Sequence, residues 1–368
     1  MVHGGAQLNT LMCAAEQGRR GHDVTLVTGT ETGSEGSLLE RARREPIRVI
    51  EVPSLVRRPQ PWLDLEATLA LYSLLGEGYD VIHTHTSKAG IVGRLAARMR
   101  GSSVVVHTPH GHIFHGYFNA MQERIFVLLE RIGARLCDCL IMLTEGDLKD
   151  HLAQNLAPPD HFLVVPSGVD LAQFSPEKLS PASFGLPTGK RLVGTTLRLV
   201  QVKGVLDLVE AFRTVADTVP EAHLAIAGDG PLREEIVGRI SALGLRDHIT
   251  LLGHVDPVSP FLQTLDLFVL PSHNEGMGRA VVEAMACALP IVATRIGGLP
   301  DLVIEGHNGW LVPPREPTAL AASLIAALRQ SDGGRGMGER SFVHSRSFSA
   351  EIMYDRLEKL YLDLYRRK

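Results

Sequence analysis

The run Asp266-Leu267-Phe268-Val269-Leu270-Pro271-Ser272-His273-Asn274-Glu275-Gly276-Met277-Gly278-Arg279-Ala280-Val281-Val282-Glu283-Ala284-Met285-Ala286 decides the fold class. Its first part is a short apolar stretch closed by proline, which reads as a buried strand ending in a loop. Its last part reads as an apolar helix. Glu275 therefore belongs at the C-terminal mouth of the strand, in a turn where Gly276 and Gly278, with Met277 between them, let backbone approach a ligand. The helix start offers unpaired N–H groups and a positive dipole end, which suit phosphate. Glu283 lies about two turns into that helix, within reach of hydroxyls beside the phosphate. Singly, Glu275 reads as a solvated loop carboxylate and Glu283 as a paired residue on a helix face. Around one anion cradle, the two acceptors suggest a sugar nucleotide.

Two further strand-to-helix junctions support this. Arg191–Arg198 reads as a strand ending in a small-residue turn, with Gly194 a candidate contact to the donor, before Leu199-Val200-Gln201-Val202-Lys203-Gly204 and a helix. Arg198 and Lys203 are then two cations at one junction, able to neutralise a diphosphate leaving group. In Leu224-Ala225-Ile226-Ala227-Gly228-Asp229-Gly230-Pro231-Leu232, the group Gly228, Asp229 and Gly230 again separates a strand from a helix. The N-terminal half alternates in the same way. Short β-branched runs at 24–27, 49–52, 81–83, 104–107, 140–143 and 162–165 are interleaved with helical stretches at 64–75, 87–99 and 119–133. That pattern predicts parallel sheet with crossover helices.

The chain has 368 residues, long for one core and sufficient for two. A hydrophobic fraction of 45% with 21% charged residues is that of an ordinary globular protein. The net charge of −4 gives no global basic field for nucleic acid. No apolar stretch is long enough to span a bilayer and no signal peptide leads the sequence, so a cytoplasmic location is expected. Cys13, Cys137, Cys139 and Cys287 lack metal-finger spacing and fit a reduced compartment.

Arg198-x4-Lys203-Gly204, Gly228-Asp229-Gly230-Pro231 and Glu275-x7-Glu283, in this order, resemble the retaining glycosyltransferases of family 4. The resemblance extends to Gly21-His22-Asp23-Val24-Thr25-Leu26-Val27-Thr28 and Asp80-Val81-Ile82-His83-Thr84-His85, and so covers nearly the whole chain. It implies an α/β protein with two doubly wound Rossmann-like domains facing a central cleft, the GT-B arrangement. The nucleotide sugar would sit mostly on the second domain and the acceptor mostly on the first. The domains would run over 1–170 and 190–345, joined by a turn-rich linker at 171–189, with a terminal helix within 346–368 crossing back onto the first domain. Arg198 and Lys203 would then hold the leaving diphosphate, Glu275 the donor-sugar hydroxyls and Glu283 the ribose hydroxyls. His110, in the turn Pro109-His110-Gly111, matches the N-domain histidine of the family that reaches donor sugar and diphosphate. The family uses no metal, and no Asp-x-Asp pair here suits a metal-bridged diphosphate. Among its donors UDP-sugars are commonest and GDP-sugars next.

Gly4-Gly5-Ala6-Gln7 resembles the family's first glycine loop, which would place Gly4 and Gly5 at the donor. Only Met1-Val2-His3 precede it, so the first strand of the N-terminal domain is expected to be missing from this sequence. Six histidines, His83, His85, His107, His110, His112 and His115, fall in one region. His83-x-His85 after a strand also suits a metal-dependent amidohydrolase. That alternative needs further ligands at later strand ends, where positions 198, 228 and 271 instead carry Arg, Gly and Pro. A role in supporting the residues that touch the ligand, or in packing, is the expectation for His83 and His85 over direct contact. A non-catalytic nucleotide-sugar-binding protein is the other alternative, against which the intact cation and glutamate pairs count.

The loop Ile113-Phe114-His115-Gly116-Tyr117-Phe118 leads into a segment where Arg124, Arg131 and Arg135 flank an apolar run. A basic amphipathic helix beside aromatics suits an anionic membrane surface; a crossover helix with its apolar face on the sheet is the plainer expectation. Thr86-Ser87-Lys88-Ala89-Gly90 and Thr108-Pro109-His110-Gly111-His112 resemble bacterial members of the family that extend polyprenol-linked or cell-surface saccharides, which implies such an acceptor.

Overall fold

A computed structural model describes residues 5–30, 38–56, 58–101, 104–110 and 120–368, without the side chains of 120–123 and 126. The chain forms two compact units, residues 1–168 with 351–368, and residues 169–350. In unit 1 the described strands are β1 (Thr25–Thr28), β2 (Arg48–Glu51), β3 (Val81–His85), β4 (Val104–Thr108), β5 (Cys139–Met142) and β6 (Phe162–Val164). Helices α1 (Gly5–Arg19), α2 (Leu39–Ala42), α3 (Pro61–Leu74), α4 (Ser87–Arg100), α5 (Ala120–Ala134) and α6 (Glu145–Ala153) precede or connect them. All pairings are parallel, as crossover helices require. They fall into two pieces, β1-β2 and β3-β4-β5-β6. β4 and β5 are buried throughout, whereas β1 and β3, at the open ends of the two pieces, are mostly half-buried. Among the described residues no strand pairs with both β1 and β3, the place a doubly wound sheet gives its first strand.

Unit 2 carries β7 (Arg191–Thr196), β8 (Ala222–Ala227), β9 (Ile249–Gly253), β10 (Leu267–Leu270), β11 (Ile291–Thr294) and β12 (Gly309–Val312). They form one parallel sheet in the order β12-β11-β10-β7-β8-β9. Its helices are α7 (Val205–Thr218), α8 (Arg233–Ala242), α9 (Ser259–Leu262), α10 (Arg279–Ala286), α11 (Leu299–Leu302), α12 (Pro317–Leu328) and α13 (Arg335–Ser345). β8, β10 and β11 are buried at every position, so these strands read as continuous apolar runs rather than alternating ones.

Two boundaries differ from the expected ones. The segment 171–189 is packed onto unit 2 instead of running free. Leu179 N donates to Gln263 O at 3.1 Å, Phe184 meets the Phe261 ring edge-on and Leu186 is buried. Its apolar side chains give it a reason to dock. The second unit then closes at Ala350, within the start of α14 (Ala350–Arg366). From Glu351 onward α14 belongs to unit 1, where Arg20 at the end of α1 pairs with Asp355 at 2.8 Å and with Glu358. Cys13 and Met353 lie side by side between the same helices.

Candidate functional site

In unit 2 the sheet order reverses between β10 and β7, and ligands of open parallel sheets bind at the carboxyl ends of strands beside such a switch point. Lys203 lies beyond β7 and Glu275 beyond β10, and the structure brings them together. Lys203 Nζ donates to Glu275 Oε2 at 2.6 Å, and Ser272 Oγ donates to the same oxygen at 3.1 Å. Both contacts use Oε2, which leaves Oε1 for a ligand hydroxyl. An ammonium has three N–H donors, so Lys203 keeps two for ligand oxygens while holding Glu275.

The two loops are tied to each other. His273 N donates to Val202 O at 2.8 Å, and His273 Nε2 meets Asp207 Oδ2, in the first turn of α7, at 2.6 Å. Gly204, in left-handed backbone at φ 64°, leads into α7; a Cβ there would sit 2.0 Å from Pro271 O. Close approach of the two loops thus requires glycine at 204. Gly298 N, beyond β11, donates to Gly276 O at 2.7 Å, and Thr294 Oγ1, at the end of β11, donates to Ser272 O at 2.6 Å. Ser272, His273, Asp207 and the 296–298 turn were not singled out in the sequence. Ser272 adjoins the motif, whereas Asp207 and His273 are 66 positions apart and gave no sequence signal of contact.

The remaining expected residues divide. Arg198 is exposed just past β7. Beyond β8, Asp229 accepts from Gly230 N at 2.7 Å and Leu199 N donates to Asp229 O at 2.9 Å, which joins the 228–230 turn to the Arg198 loop. A Cβ at Gly228, φ 143°, would lie 1.8 Å from Leu197 O. Gly228 and Gly230 therefore serve the packing of two loops, with Asp229 exposed above them. Gly194 is a correction: it lies inside β7, where a Cβ would meet the Leu265 side chain at 2.2 Å, so it packs the core. Met277 is 3% exposed, its side chain turned into the core, so only its backbone can face a ligand. Gly278, φ 85°, caps α10 in left-handed backbone. Glu283 is half-buried in the second turn of α10; burial pushes its carboxyl pKa up while Arg279 draws it down.

In unit 1, Gly5 is exposed at the start of α1, and Gly4 lies outside the described residues. His110 follows β4 with φ 62°. Its Nε2 is 2.9 Å from His85 Nδ1 at the end of β3. The His83 ring stacks on His85 with centroids 4.0 Å apart; its Nδ1 is 2.6 Å from Tyr361 Oη of α14 and its Nε2 2.8 Å from Thr108 Oγ1. Burial holds His83 down to about 3 and His110 down to about 4, and keeps His85 well below the usual imidazole range. The rings are neutral, bonded to hydroxyls and to each other, and among the described residues no carboxylate is hydrogen-bonded to them. Among the described residues no group of three potential ligand side chains is arranged to hold a metal ion. The amidohydrolase alternative thus finds no support here. His112 and His115 lie outside the described residues.

Comparison with known proteins agrees with this layout. Residues 4–168 match the model of a glycosyl transferase 4-like domain, and residues 177–342 that of glycosyl transferases group 1. The UDP-Gal:alpha-D-GlcNAc-diphosphoundecaprenol alpha-1,3-galactosyltransferase of Escherichia coli is 32% identical over 289 residues, 76% of this chain and 75% of that one. The D-inositol 3-phosphate glycosyltransferase of Xylanimonas cellulosilytica is 29% identical over 98% of this chain and 91% of its own. Among solved structures, Anabaena HepE in complex with UDP superposes with a TM-score of 0.79 at 22% identity, covering 98% of this chain and 96% of HepE.

Proposed function

The chain belongs to the glycosyltransferases built from a 4-like and a group 1 domain, and from that premise we propose a retaining, metal-independent transfer from a UDP-sugar to a saccharide or polyprenol-linked saccharide. The observation that carries this reading is the Lys203–Glu275–Ser272 cluster at the β7/β10 switch point. The costly item in such a transfer is charge developing on the departing diphosphate, so preorganised donors there lower the barrier most. Lys203, Arg198 and the N–H groups opening α10 supply them. Glu275 turns its second oxygen to donor-sugar hydroxyls and Glu283 accepts from the ribose. As the anomeric C–O bond to the diphosphate breaks, the acceptor oxygen bonds to the anomeric carbon from the same face. Its proton passes to the departing phosphate oxygen, so no protein base is required. UDP as the donor base is supported by HepE, and a diphosphoundecaprenol-linked acceptor by the Escherichia coli relative.

The acceptor reading extends to a contact with anionic membrane. Of the described side chains of α5, Glu130 is turned inward and meets Arg94 of α4 at 3.3 Å, the missing Cβ of Gly133 makes room for that guanidinium, and Ala134 packs in the core. Ile125, Leu128, Leu129 and Ile132 are left exposed as one stripe, flanked by the exposed Arg124, Arg131 and Arg135. The neighbouring helices continue the surface, α4 with Leu95, Arg98 and Met99 and α3 with Trp62, Leu65 and Leu69. Apolar wedges ringed by arginine favour an anionic bilayer. Phe114, Tyr117 and Phe118 lie outside the described residues. No helix among the described residues is long and apolar enough to cross a membrane.

The test is transfer from UDP-, GDP- and ADP-sugars to diphosphoundecaprenol-linked GlcNAc, with proton NMR of the first-formed product, in chelator. The expected result is a UDP-sugar substrate, an α product from an α donor, and undiminished turnover in EDTA. A β product, or activity restored only by a divalent ion, overturns the mechanism.

A further inference from the structure

Two residues at the adjacent ends of β3 and β4 hold backbone conformations that side chains disfavour. Thr86 has φ 63° and ψ 165°, a region that is otherwise glycine's, and His110 has φ 62°. Such strain persists only where surrounding contacts over-determine it, and it clusters at sites with a task. Here the two ends are joined twice. Thr86 N donates to Thr108 O at 3.0 Å, and the His85 and His110 rings share one hydrogen bond at 2.9 Å. Only one proton fits between His85 Nδ1 and His110 Nε2, and each neutral imidazole carries one N–H. The state of the second nitrogen of His110, Nδ1, is therefore dictated by His85.

We propose that His85 is a positioning residue that donates from Nδ1 to His110 Nε2, so that His110 keeps its own proton on Nδ1 and presents a neutral N–H donor. The inference rests on the family resemblance by which His110 matches the histidine that reaches donor sugar and diphosphate. Toward an anionic oxygen a bare Nδ1 lone pair is repulsive, so only this tautomer is productive. The orientation of His85 is fixed from behind. His83 stacks on it and is clamped by Tyr361 on one nitrogen and Thr108 on the other. This gives the terminal helix α14 a contact to the His110 support and gives the His83-x-His85 spacing a purpose other than metal. Both side chains leave the same face of β3, two residues apart.

The direct measurement is the tautomeric state of His110 by nitrogen-15 imidazole shifts in the full-length protein, assigned with His110→Gln. A protonated Nδ1 is expected, and a protonated Nε2 overturns the proposal without any mutant having to fold. Kinetics supply the second arm. His85→Leu should lower kcat by ten- to a hundredfold with KM for the donor changed much less. His85→Asn, whose amide N–H sits near the original Nδ1, should recover most of that loss. Equal loss in the two variants means that the ring acts by packing alone and sinks the idea. If His110→Ala itself transfers sugar at the normal rate, the reading of His110 fails first. If His110→Ala is inactive while His85→Leu is normal, only the positioning role falls.

Discussion

Lys203→Ala separates a catalytic cation from a structural one. The Lys203 and Glu275 side chains are 25% and 15% exposed, between the surface and the interior. Exposed pairs contribute up to about 1 kcal/mol, and removing one partner of a buried pair costs about 3–5 kcal/mol. A loss of about 2 kcal/mol in the stability of unit 2 follows, since Ser272 still donates to the stranded carboxylate. For a domain of this size that is a fall in Tm of about 4–8 °C. Catalysis should suffer separately. If Nζ gives two hydrogen bonds to the leaving diphosphate, its loss is comparable to that of an oxyanion-hole donor, about 2–4 kcal/mol of barrier. That is roughly 30- to 900-fold in rate. Because the charge develops in the transition state, the loss should fall on kcat more than on KM. Steady-state transfer assays and calorimetry on Lys203→Ala, Lys203→Arg and Glu275→Gln resolve the two effects. Near-normal kcat in Lys203→Ala, with Tm lowered as calculated, would refute the leaving-group assignment and leave the lysine as a partner of Glu275 alone.

Two more outcomes follow from the geometry of unit 1. Ile125→Ser with Leu128→Ser should weaken binding to vesicles containing phosphatidylglycerol by about 30-fold, at about 1 kcal/mol for each half-inserted side chain, in a flotation assay. Both residues are already more than half exposed, so Tm should hold, and unchanged flotation removes the membrane from this face. The buried histidines predict a pH dependence. With folded pKa values below the unfolded value of about 6.5, the unfolded chain binds more protons, so stability is full above that value. It is lost as pH falls toward the folded values of about 3 for His83 and about 4 for His110. Denaturant titration of the isolated histidine variants at pH 7 and 5 should show wild type losing about 1–2 kcal/mol per buried histidine. A wild type equally stable at both values contradicts the burial argument.

The strand, turn and helix pattern was legible because each signal is local. An apolar run such as 267–270 has few ways to be satisfied outside a sheet, and the glycines at 204 and 278 mark the left-handed backbone they adopt. Lys203 and Glu275 were legible as site residues only through their place in two motifs; the 2.6 Å contact between them depends on the strand order, which local pattern does not encode. Gly194 shows the opposite error. Its flanking small residues suggested a ligand turn, yet Leu265, 71 positions later, fills the space a side chain would take. At the first glycine loop Gly5 opens α1, and nothing in Gly-Gly-Ala-Gln distinguishes a loop from a helix start.

The sequence left open the direction in which α5 faces. A stripe such as Ile125, Leu128, Leu129 and Ile132 has the spacing of a core-facing crossover helix, and that is the default for any helix beside a parallel sheet. It is overruled by a single buried pair. Arg94, fully buried in α4, must find a carboxylate, because an unpaired guanidinium in the interior costs far more than an exposed leucine. Glu130 is the acid that meets it, and with Gly133 giving the guanidinium room, α5 is turned so that the side bearing Glu130, Gly133 and Ala134 faces the protein. The apolar stripe is then outward as a consequence of the pair. Arg94→Met with Glu130→Leu replaces it by apolar groups of similar length, and should leave unit 1 as stable or more so. Removing Arg94 alone should destabilise it by about 3–5 kcal/mol. If the single variant is as stable as wild type, the pair does not orient the helix, and the exposed stripe needs another cause.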